Sequence, residues 1–332
     1  MNEAVIQRIL DAYHISYQQI LPPQKGYRNE TRPVLLHDKT SLNLILYKSE
    51  PGILERIKTA NRVSDFLHEL GFPTRCTQDK IIELRVGERL KYGAVYNYLP
   101  GETIPWEAYT REHIKNLGGM MSKMHAALAQ YHGQTPSIIL EYQANVRRMQ
   151  HYFGRATIQR ALQRKLGLSI AVPASFADLL EAAGELPAQT LHMDFVRGNI
   201  LFDGSAIVGV LDFEKTAHGP RVFDIARTLA FLLVDCKYKE EAKIRKYFLK
   251  SGYNKRGRAS FTDTTVNFAG GYSSLLEGLV NVCLLYDFYK FLRHNPYEDL
   301  PDNEHFIRTR NLVVSRQIIA YNKSIERVVT RG

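Results

Sequence analysis

Cysteine is scarce in this sequence. The 332 residues contain three cysteines, Cys76, Cys236 and Cys283, which lie far apart in the chain. No Cys-x-x-Cys pair and no cluster of cysteine with histidine occurs. Disulfide frameworks and structural zinc sites depend on such spacings, so the sequence argues against both. A reducing compartment fits this composition, and we expect a cytoplasmic protein.

Features of a secreted or membrane protein are lacking as well. The opening residues, MNEAVI, have neither a basic segment nor a long apolar core, so we expect no secretory signal. The most apolar long stretch, residues 275–292, is interrupted by Glu277, Asp287 and Lys290. Charges at such positions favour a buried helix over a membrane span. We therefore expect no membrane partner.

Acidic residues are outnumbered by basic ones. The chain has 34 Asp and Glu against 44 Lys and Arg, which gives a formal net charge of +10. A positive field favours anionic ligands such as a nucleotide, or non-specific contact with nucleic acid. The basic residues are dispersed and no nucleic-acid-binding motif accompanies them, so we expect a solvated surface and no nucleic-acid partner. The length is sufficient for a sizeable core and for two lobes.

The most informative stretch runs from residue 191 to residue 214. A polar loop precedes two short apolar runs that are joined by a turn containing glycine, which is the pattern of a β-hairpin. Asp194 and Asn199 enter this hairpin at one end and Asp212 leaves it at the other, so their oxygen atoms are expected to converge. Such ligands suit Mg²⁺, which proteins hold with one or two carboxylates plus substrate phosphates.

The spacing of these residues matches a template for phosphoryl transfer. In that template the loop Asp accepts the proton of the attacking hydroxyl, while the Asn and the later Asp hold the metal; here they are Asp194, Asn199 and Asp212. The order His-x-Asp-x4-Asn, the Asp-Phe-Glu at 212–214 and the Phe-Asp-Ile-Ala at 223–226 resemble the aminoglycoside phosphotransferase, choline kinase and homoserine kinase type II superfamily. These are kinase-like enzymes that act on small molecules.

The resemblance implies an α+β, protein-kinase-like two-lobed fold. Residues 1–99 would form a small nucleotide-binding lobe with a five-stranded antiparallel sheet. Residues 100–332 would form a larger, mostly helical lobe for catalysis and substrate binding. The resemblance also implies Mg²⁺, ATP or GTP as co-substrate, a small-molecule hydroxyl as acceptor, and supporting roles for His192 and Asp224.

Weaker signals mark the nucleotide site. Gly26 lies in a turn between predicted strands, where a residue without a Cβ lets backbone N–H groups approach phosphate, although a plain hairpin turn has the same pattern. Lys48 shares a strand face with leucines and occupies the place of the superfamily's phosphate-binding lysine; a surface lysine at a strand end is the alternative. At the place of the hinge, the candidates for contact with the adenine edge are Asn97, Tyr98 and Leu99.

The chain departs from these relatives at Asn61. They have a Glu there that pairs with the strand lysine, whereas the Asn61 amide oxygen could only accept a hydrogen bond from Lys48, without the strength that a carboxylate charge adds. This departure motivates an alternative, a nucleotide-binding pseudo-kinase with a regulatory or binding role. Glu214 is a candidate contact for metal-bound water or a substrate amine, or else a hydrogen-bonded structural group.

The acceptor stays open among amino alcohols, sugars, aminoglycosides and macrolides. A polycationic aminoglycoside would require an acidic cleft. The basic balance of the chain argues against one, but Glu277, Asp287 and the acidic loop 298–302 keep it open. In the helical part of the chain we expect His125 to be a hydrogen-bonded structural histidine and Arg227 to pair with a nearby carboxylate.

Overall fold

The N-terminal part of the chain is built on one antiparallel sheet. Its strands are β1 Gln19–Ile20, β2 Glu30–Leu35, β3 Ser41–Leu46, β4 Ile82–Val86 and β5 Arg89–Asn97. They lie in the order β1-β2-β3-β5-β4, so the prediction of a five-stranded antiparallel sheet is confirmed. The computed structural model describes residues 2–23, 29–78, 80–238, 240–268 and 271–321.

Two helices cover the two faces of this sheet. Helix α1 (Glu3–Ala12) is capped by the Asn2 side chain, which accepts a hydrogen bond from the Val5 N–H at 3.0 Å. Side chains alternate between faces along a strand, so Leu44 and Leu46 of β3 pack with α1. The intervening Ile45 packs on the opposite face with helix α2 (Ile53–Glu69).

A hairpin distant in sequence belongs to the same compact unit. It consists of β8 (Ile200–Asp203) and β9 (Ala206–Val210), as the pattern of apolar runs predicts. The Val210 N–H donates to the Pro73 carbonyl at 2.8 Å, and Glu102 exchanges two backbone hydrogen bonds with Phe202. The first unit therefore comprises Met1–Thr103, Tyr131–Gly133 and Gly198–Thr216. The domain boundary after residue 99 stays a prediction, since packing alone does not test it.

The second unit is mostly helical, as predicted. It comprises Ile104–Gln130, Gln134–Arg197 and the chain from Ala217. Its α-helices are α3 Arg111–Leu128, α4 Ile138–Phe153, α5 Ala156–Leu166, α6 Ser175–Gly184, α7 Val222–Asp235, α8 Glu241–Arg245, α9 Asn254–Arg256, α10 Leu275–His294 and α11 Glu304–Ser315. A π-helix and three 3-10 turns occupy Lys246–Tyr253, Trp106–Ala108, Arg197–Asn199 and Tyr297–Asp299. Its short strands are β6 Leu168–Ser169, β7 Ala188–Leu191, β10 Ala217–Pro220, β11 Thr265–Phe268, β12 Gly271–Ser274 and β13 Ala320–Tyr321.

Helices α7 and α10 pack together in the core of this second unit. The apolar stretch interpreted as a buried helix is α10, whose buried residues include Leu279, Val282 and Phe288. That interpretation is confirmed. Across the described ranges, no helix combines the length and apolar character that crossing a membrane requires.

Helix α3 approaches the π-helix closely at Gly118. A Cβ at this position would overlap the Phe248 carbonyl oxygen and lie 2.9 Å from the Tyr253 backbone nitrogen. We predict that Gly118→Ala lowers the free energy of unfolding by about 1–3 kcal/mol, because backbone atoms cannot move aside as a flexible side chain can. Urea denaturation measures the loss.

Gly184→Ala is the matched control. Its new Cβ would lie 3.4 Å from the Ile139 Cδ1 atom, an ordinary contact with a flexible side chain. We expect its urea midpoint to stay at the wild-type value. Equal midpoints for the two variants would contradict the close backbone approach at Gly118.

Candidate functional site

A buried carboxylate holds the loop that follows β7. Asp224 lies in the first turn of α7 with 0% exposure. Its Oδ2 accepts the backbone N–H of His192 at 2.9 Å, and its Oδ1 accepts that of Met193 at 2.7 Å. A carboxylate that accepts two N–H groups makes strong, charge-assisted hydrogen bonds. Asp224 therefore fixes the backbone at the start of the loop.

The loop makes a tight turn at Asp194. Met193 has φ +62, a left-handed conformation that side chains other than glycine adopt rarely. The Asp194 N–H donates to His192 Nδ1 at 3.1 Å, and the Asp194 carbonyl accepts the Val196 N–H at 2.8 Å. Asp194 is only 8% exposed. The turn therefore gives its carboxylate a defined, largely enclosed position.

His125 links Asp224 to the π-helix. Its Nε2 lies 3.0 Å from Asp224 Oδ2, and its Nδ1 lies 2.7 Å from the Tyr253 hydroxyl. Burial raises the pKa of Tyr253 to about 12, so the hydroxyl keeps its proton and donates to Nδ1. Nε2–H then donates to Asp224. The expectation of a hydrogen-bonded structural His125 is confirmed, and no local sequence signal marks Tyr253 as its partner.

The pKa of Asp224 reflects this arrangement. Burial acts to raise it, but the hydrogen bond from His125, together with the one from the His192 backbone, holds the pKa below its ordinary value. The carboxylate therefore stays ionised at neutral pH. His192 joins the two carboxylates, since its backbone N–H donates to Asp224 and its ring accepts the Asp194 N–H. The supporting roles of Asp224 and His192 in the site stay predictions.

The first unit contains the other oxygen-bearing residues of the motif. Asn199 ends a 3-10 turn just before β8, and its carbonyl accepts the Leu211 N–H at 2.8 Å. Asp212 follows β9 at φ +59, and its Oδ1 accepts the Glu214 N–H at 3.2 Å. The hydrogen bond from Leu211 thus ties the two ends of the hairpin together. One amide and one carboxylate fit Mg²⁺, which takes few protein ligands and fills its shell with water and phosphate oxygens.

Asn29 is a residue that the sequence analysis missed. Its Nδ2 donates to Glu214 Oε1 at 2.7 Å, and its Oδ1 accepts the backbone N–H of Lys48 at 3.1 Å. Asn29 thereby bridges the end of β3 and Glu214, which lies two residues beyond Asp212. The Lys48 side chain is exposed, two residues past the end of β3. Gly26 lies outside the described residues.

Asn61 has a different partner from the one expected. Its Oδ1 accepts a hydrogen bond from the Tyr96 hydroxyl at 2.9 Å, and that hydroxyl lies 2.6 Å from the hydroxyl of Tyr47. Among the described residues Asn61 thus bonds to Tyr96 and not to Lys48, and its supporting role in the site stays a prediction. The reason is strand alternation, which directs Tyr47 of the β3 segment toward α2.

The predicted hinge residues are partly occupied by contacts within the protein. The Asn97 N–H donates to the Cys76 carbonyl at 3.2 Å, and its side-chain Oδ1 accepts the Cys76 N–H at 2.6 Å. The Tyr98 N–H donates to the Ser41 carbonyl at 3.3 Å. Leu99, the third candidate, is half-buried directly after them.

Three of the acidic residues that would favour a polycationic substrate, Glu277, Asp287 and Glu298, lie beside cations in the second unit. Asp287 binds Arg227 at 2.5 and 3.1 Å and Lys290 at 2.8 Å, which confirms a carboxylate partner for Arg227. Burial would raise the pKa of Asp287, but the two cations lower it to about 2. Glu298 is bound to Lys165, and Glu277 lies 3.7 Å from an Arg316 nitrogen.

Comparison with solved structures establishes the fold. An amicoumacin kinase in complex with AMP-PNP, Ca²⁺ and Ami superposes with a TM-score of 0.65 at 12% identity, over 99% of this chain and 97% of that one. A microcompartment-associated aminopropanol kinase gives a TM-score of 0.60 at 13% identity, over 94% of each chain. The chain therefore has the protein-kinase-like fold of these enzymes, as the motif predicted.

Sequence comparison establishes the family. Homoserine kinase of Pseudomonas aeruginosa is 30% identical over 122 residues, and the match spans 35% of this chain and 35% of that kinase. The sequence model of the phosphotransferase enzyme family matches residues 19–245, more than half of the chain. This chain belongs to the phosphotransferase enzyme family.

Proposed function

We propose that the chain is a Mg²⁺-dependent kinase that transfers the γ-phosphoryl group of ATP or GTP to a hydroxyl of a small molecule. The observation that carries this proposal is the enclosed turn at Asp194, held on the buried carboxylate of Asp224. Catalysis of phosphoryl transfer is mainly positioning and charge stabilisation, and both require a rigid carboxylate. The turn provides that rigidity.

Asp194 would orient the acceptor hydroxyl and accept its proton as the phosphoryl group is transferred. Asn199 and Asp212 would hold the metal in the first unit. When bound, Mg²⁺ neutralises charge on the phosphate oxygens. The spacing of the motif supports these three roles; Asp194 belongs to the second unit, and the other two residues belong to the first.

Glu214 is better explained as a structural group than as a substrate contact. Its carboxylate accepts the Asn29 amide, and the same Asn29 side chain accepts the N–H of Lys48. We propose that Glu214 holds Asn29 in place beside Asp212. The position of the polypeptide after Asp212 would thereby be coupled to the end of β3.

The acceptor that we propose is an amino alcohol. A polycation needs uncompensated carboxylates, whereas Asp287 and Glu298 are bound to cations. A single ammonium group needs fewer uncompensated carboxylates than a polycation does. The partial match to a homoserine kinase and the fold shared with an aminopropanol kinase support the same class.

The competing proposal is a pseudo-kinase. It is motivated by Asn61, whose hydrogen bond to Tyr96 takes the place of an ion pair with a strand lysine. Nucleotide consumption separates the two proposals when purified protein with Mg²⁺ is tested on amino alcohols, sugars, aminoglycosides and macrolides. We expect stimulation by an amino alcohol. Nucleotide binding without stimulation by any member would favour the pseudo-kinase.

Asp194→Asn tests the proposed role of Asp194 as the base. Turnover is expected to fall by about two to four orders of magnitude, the range for loss of general acid–base assistance, while nucleotide affinity stays near the wild-type value. Asp203→Asn is the control, because Asp203 is an exposed carboxylate at the end of β8. Wild-type turnover in Asp194→Asn would remove Asp194 from the role of base.

Asp224→Asn tests the contribution of the buried Asp224 carboxylate to stability. Since the pKa of Asp224 is lowered in the folded state, its ionised form stabilises the fold above its ordinary pKa, and this stabilisation is lost as the pH falls toward the folded value. We expect the variant to be less stable than the wild type by about 1.5–3 kcal/mol at pH 7.

Urea unfolding across a pH series measures this difference. The gap between wild type and variant should stay constant from neutral pH to about 5 and narrow below about 4, where the carboxylate of the unfolded chain takes up its proton. A gap that widens on acidification would show that Asp224 is protonated in the native protein.

A further inference from the structure

Two buried tyrosines occupy the face of the sheet that meets α2. Tyr47 and Tyr96 are 5% and 3% exposed, and both pack with Ile53 and Ile57 of α2. Their hydroxyls are 2.6 Å apart, and Tyr96 donates to Asn61. Since the Tyr96 hydroxyl donates its hydrogen to Asn61 Oδ1, the Tyr96 oxygen accepts a hydrogen bond from the Tyr47 hydroxyl. The three side chains form a short, directed hydrogen-bond chain.

The three hydrogen-bonded side chains, Tyr47, Tyr96 and Asn61, carry no charge. Burial raises the pKa of Tyr47 far above its ordinary value and also raises that of Tyr96, so both phenols keep their protons. Neutral hydroxyls cannot offset the negative charge of a nucleotide's phosphate groups. A cation is therefore needed from another part of the first unit.

Arg75 brings a cation to these tyrosines. Its guanidinium carbon lies 6.0 Å from the centre of the Tyr96 ring. The same guanidinium acts electrostatically on Tyr47, where its charge opposes the effect of burial on the pKa. In the parts of the chain that the structure describes, Arg75 forms no ion pair with a carboxylate, and its side chain is half-buried.

The backbone around Arg75 is fixed from three directions. The Arg75 carbonyl accepts the Ser64 hydroxyl of α2, and the next residue exchanges hydrogen bonds with Asn97 of β5. The preceding Thr74 forms a parallel bridge with Val210 at the end of β9. The Arg75 backbone therefore lies where the sheet, α2 and the hairpin meet, and these hydrogen bonds fix it there.

This junction lies beside the metal-binding candidates of the first unit. Asp212 is two residues beyond Val210, the bridge partner of Thr74. The charge of Glu214 acts on Tyr47, as that of Arg75 does. Through the bridge between Thr74 and Val210, Arg75 and Asp212 belong to one packed junction of the first unit.

We propose that Arg75 binds the phosphate groups of the nucleotide, with the Tyr47–Tyr96 pair as its support, in the role that the motif assigned to Lys48. The proposal rests on the proposed function, because it presumes a nucleotide at the hairpin. A guanidinium suits the task, since its planar fork donates two parallel hydrogen bonds to phosphate oxygens. Lys48, in contrast, is exposed and follows leucines that face α1.

Nucleotide affinity tests the proposal without reference to turnover. ATP and adenosine are titrated into wild type, Arg75→Gln and Lys48→Gln by calorimetry in the presence of Mg²⁺. Arg75→Gln is expected to weaken ATP binding by about 10- to 100-fold, the value of a charged hydrogen bond, and to leave adenosine binding unchanged. Lys48→Gln, the matched control, should change ATP affinity by less than about threefold.

Two results would overturn the assignment while the proposed function stands: wild-type ATP affinity in Arg75→Gln, or the large loss in Lys48→Gln alone. A wild-type protein that binds neither ATP nor GTP would reject the proposed function itself, and if it binds GTP alone the same titrations are made with GTP and guanosine. Urea midpoints verify that each variant is folded. If Arg75→Gln does not fold, Arg75→Lys replaces it, with an expected loss of about tenfold because the ammonium cannot make both hydrogen bonds.

Discussion

The hydrogen bonds between the Asp224 carboxylate and the backbone of His192 and Met193 are the constraint on which the candidate site depends. They hold Met193 in a left-handed conformation, which in turn directs Asp194 into its enclosed turn. A backbone conformation of this kind costs on the order of 1–3 kcal/mol and persists only where its surroundings fix it. The His125 ring and the Tyr253 hydroxyl complete those surroundings, so the π-helix contributes to the position of a loop far from it in sequence.

Long-range hydrogen bonds also join separate segments of the first unit. The bridge between Thr74 and Val210 ties the hairpin to the chain segment that precedes β4, and Asn29 ties Glu214 to the end of β3. Residues that would hold metal and residues that would hold phosphate therefore belong to one packed body. Nucleotide geometry would be set by backbone hydrogen bonds there, so the chain would not need the ion pair that the relatives form between a strand lysine and a Glu at the place of Asn61.

Local patterns in the sequence were sufficient for the five-stranded sheet, the hairpin and the family, but not for the π-helix or for the strand pair β11–β12. Alternating and apolar runs depend on neighbouring residues only, and the motif from His192 to Asp212 fits in one short stretch. The partners of Asn61 and His125 were not predictable in this way, because Tyr96 and Tyr253 reach them from β5 and the π-helix. Alternation placed Lys48 with its leucines, but only the fold tells which helix covers that face. Arg75 carries no motif, so its position at the junction emerges from long-range backbone pairing alone.

The central claim is transfer of a phosphoryl group to a small-molecule hydroxyl, and phosphorus NMR of the reaction mixture tests it most directly. Purified protein, ATP and Mg²⁺ are incubated with and without an amino alcohol such as homoserine or aminopropanol. If the protein transfers the phosphoryl group to the acceptor, a new phosphomonoester signal appears only with the acceptor and grows as the γ-phosphate signal declines. Conversion of ATP to inorganic phosphate at the same rate with and without every acceptor tested would contradict it.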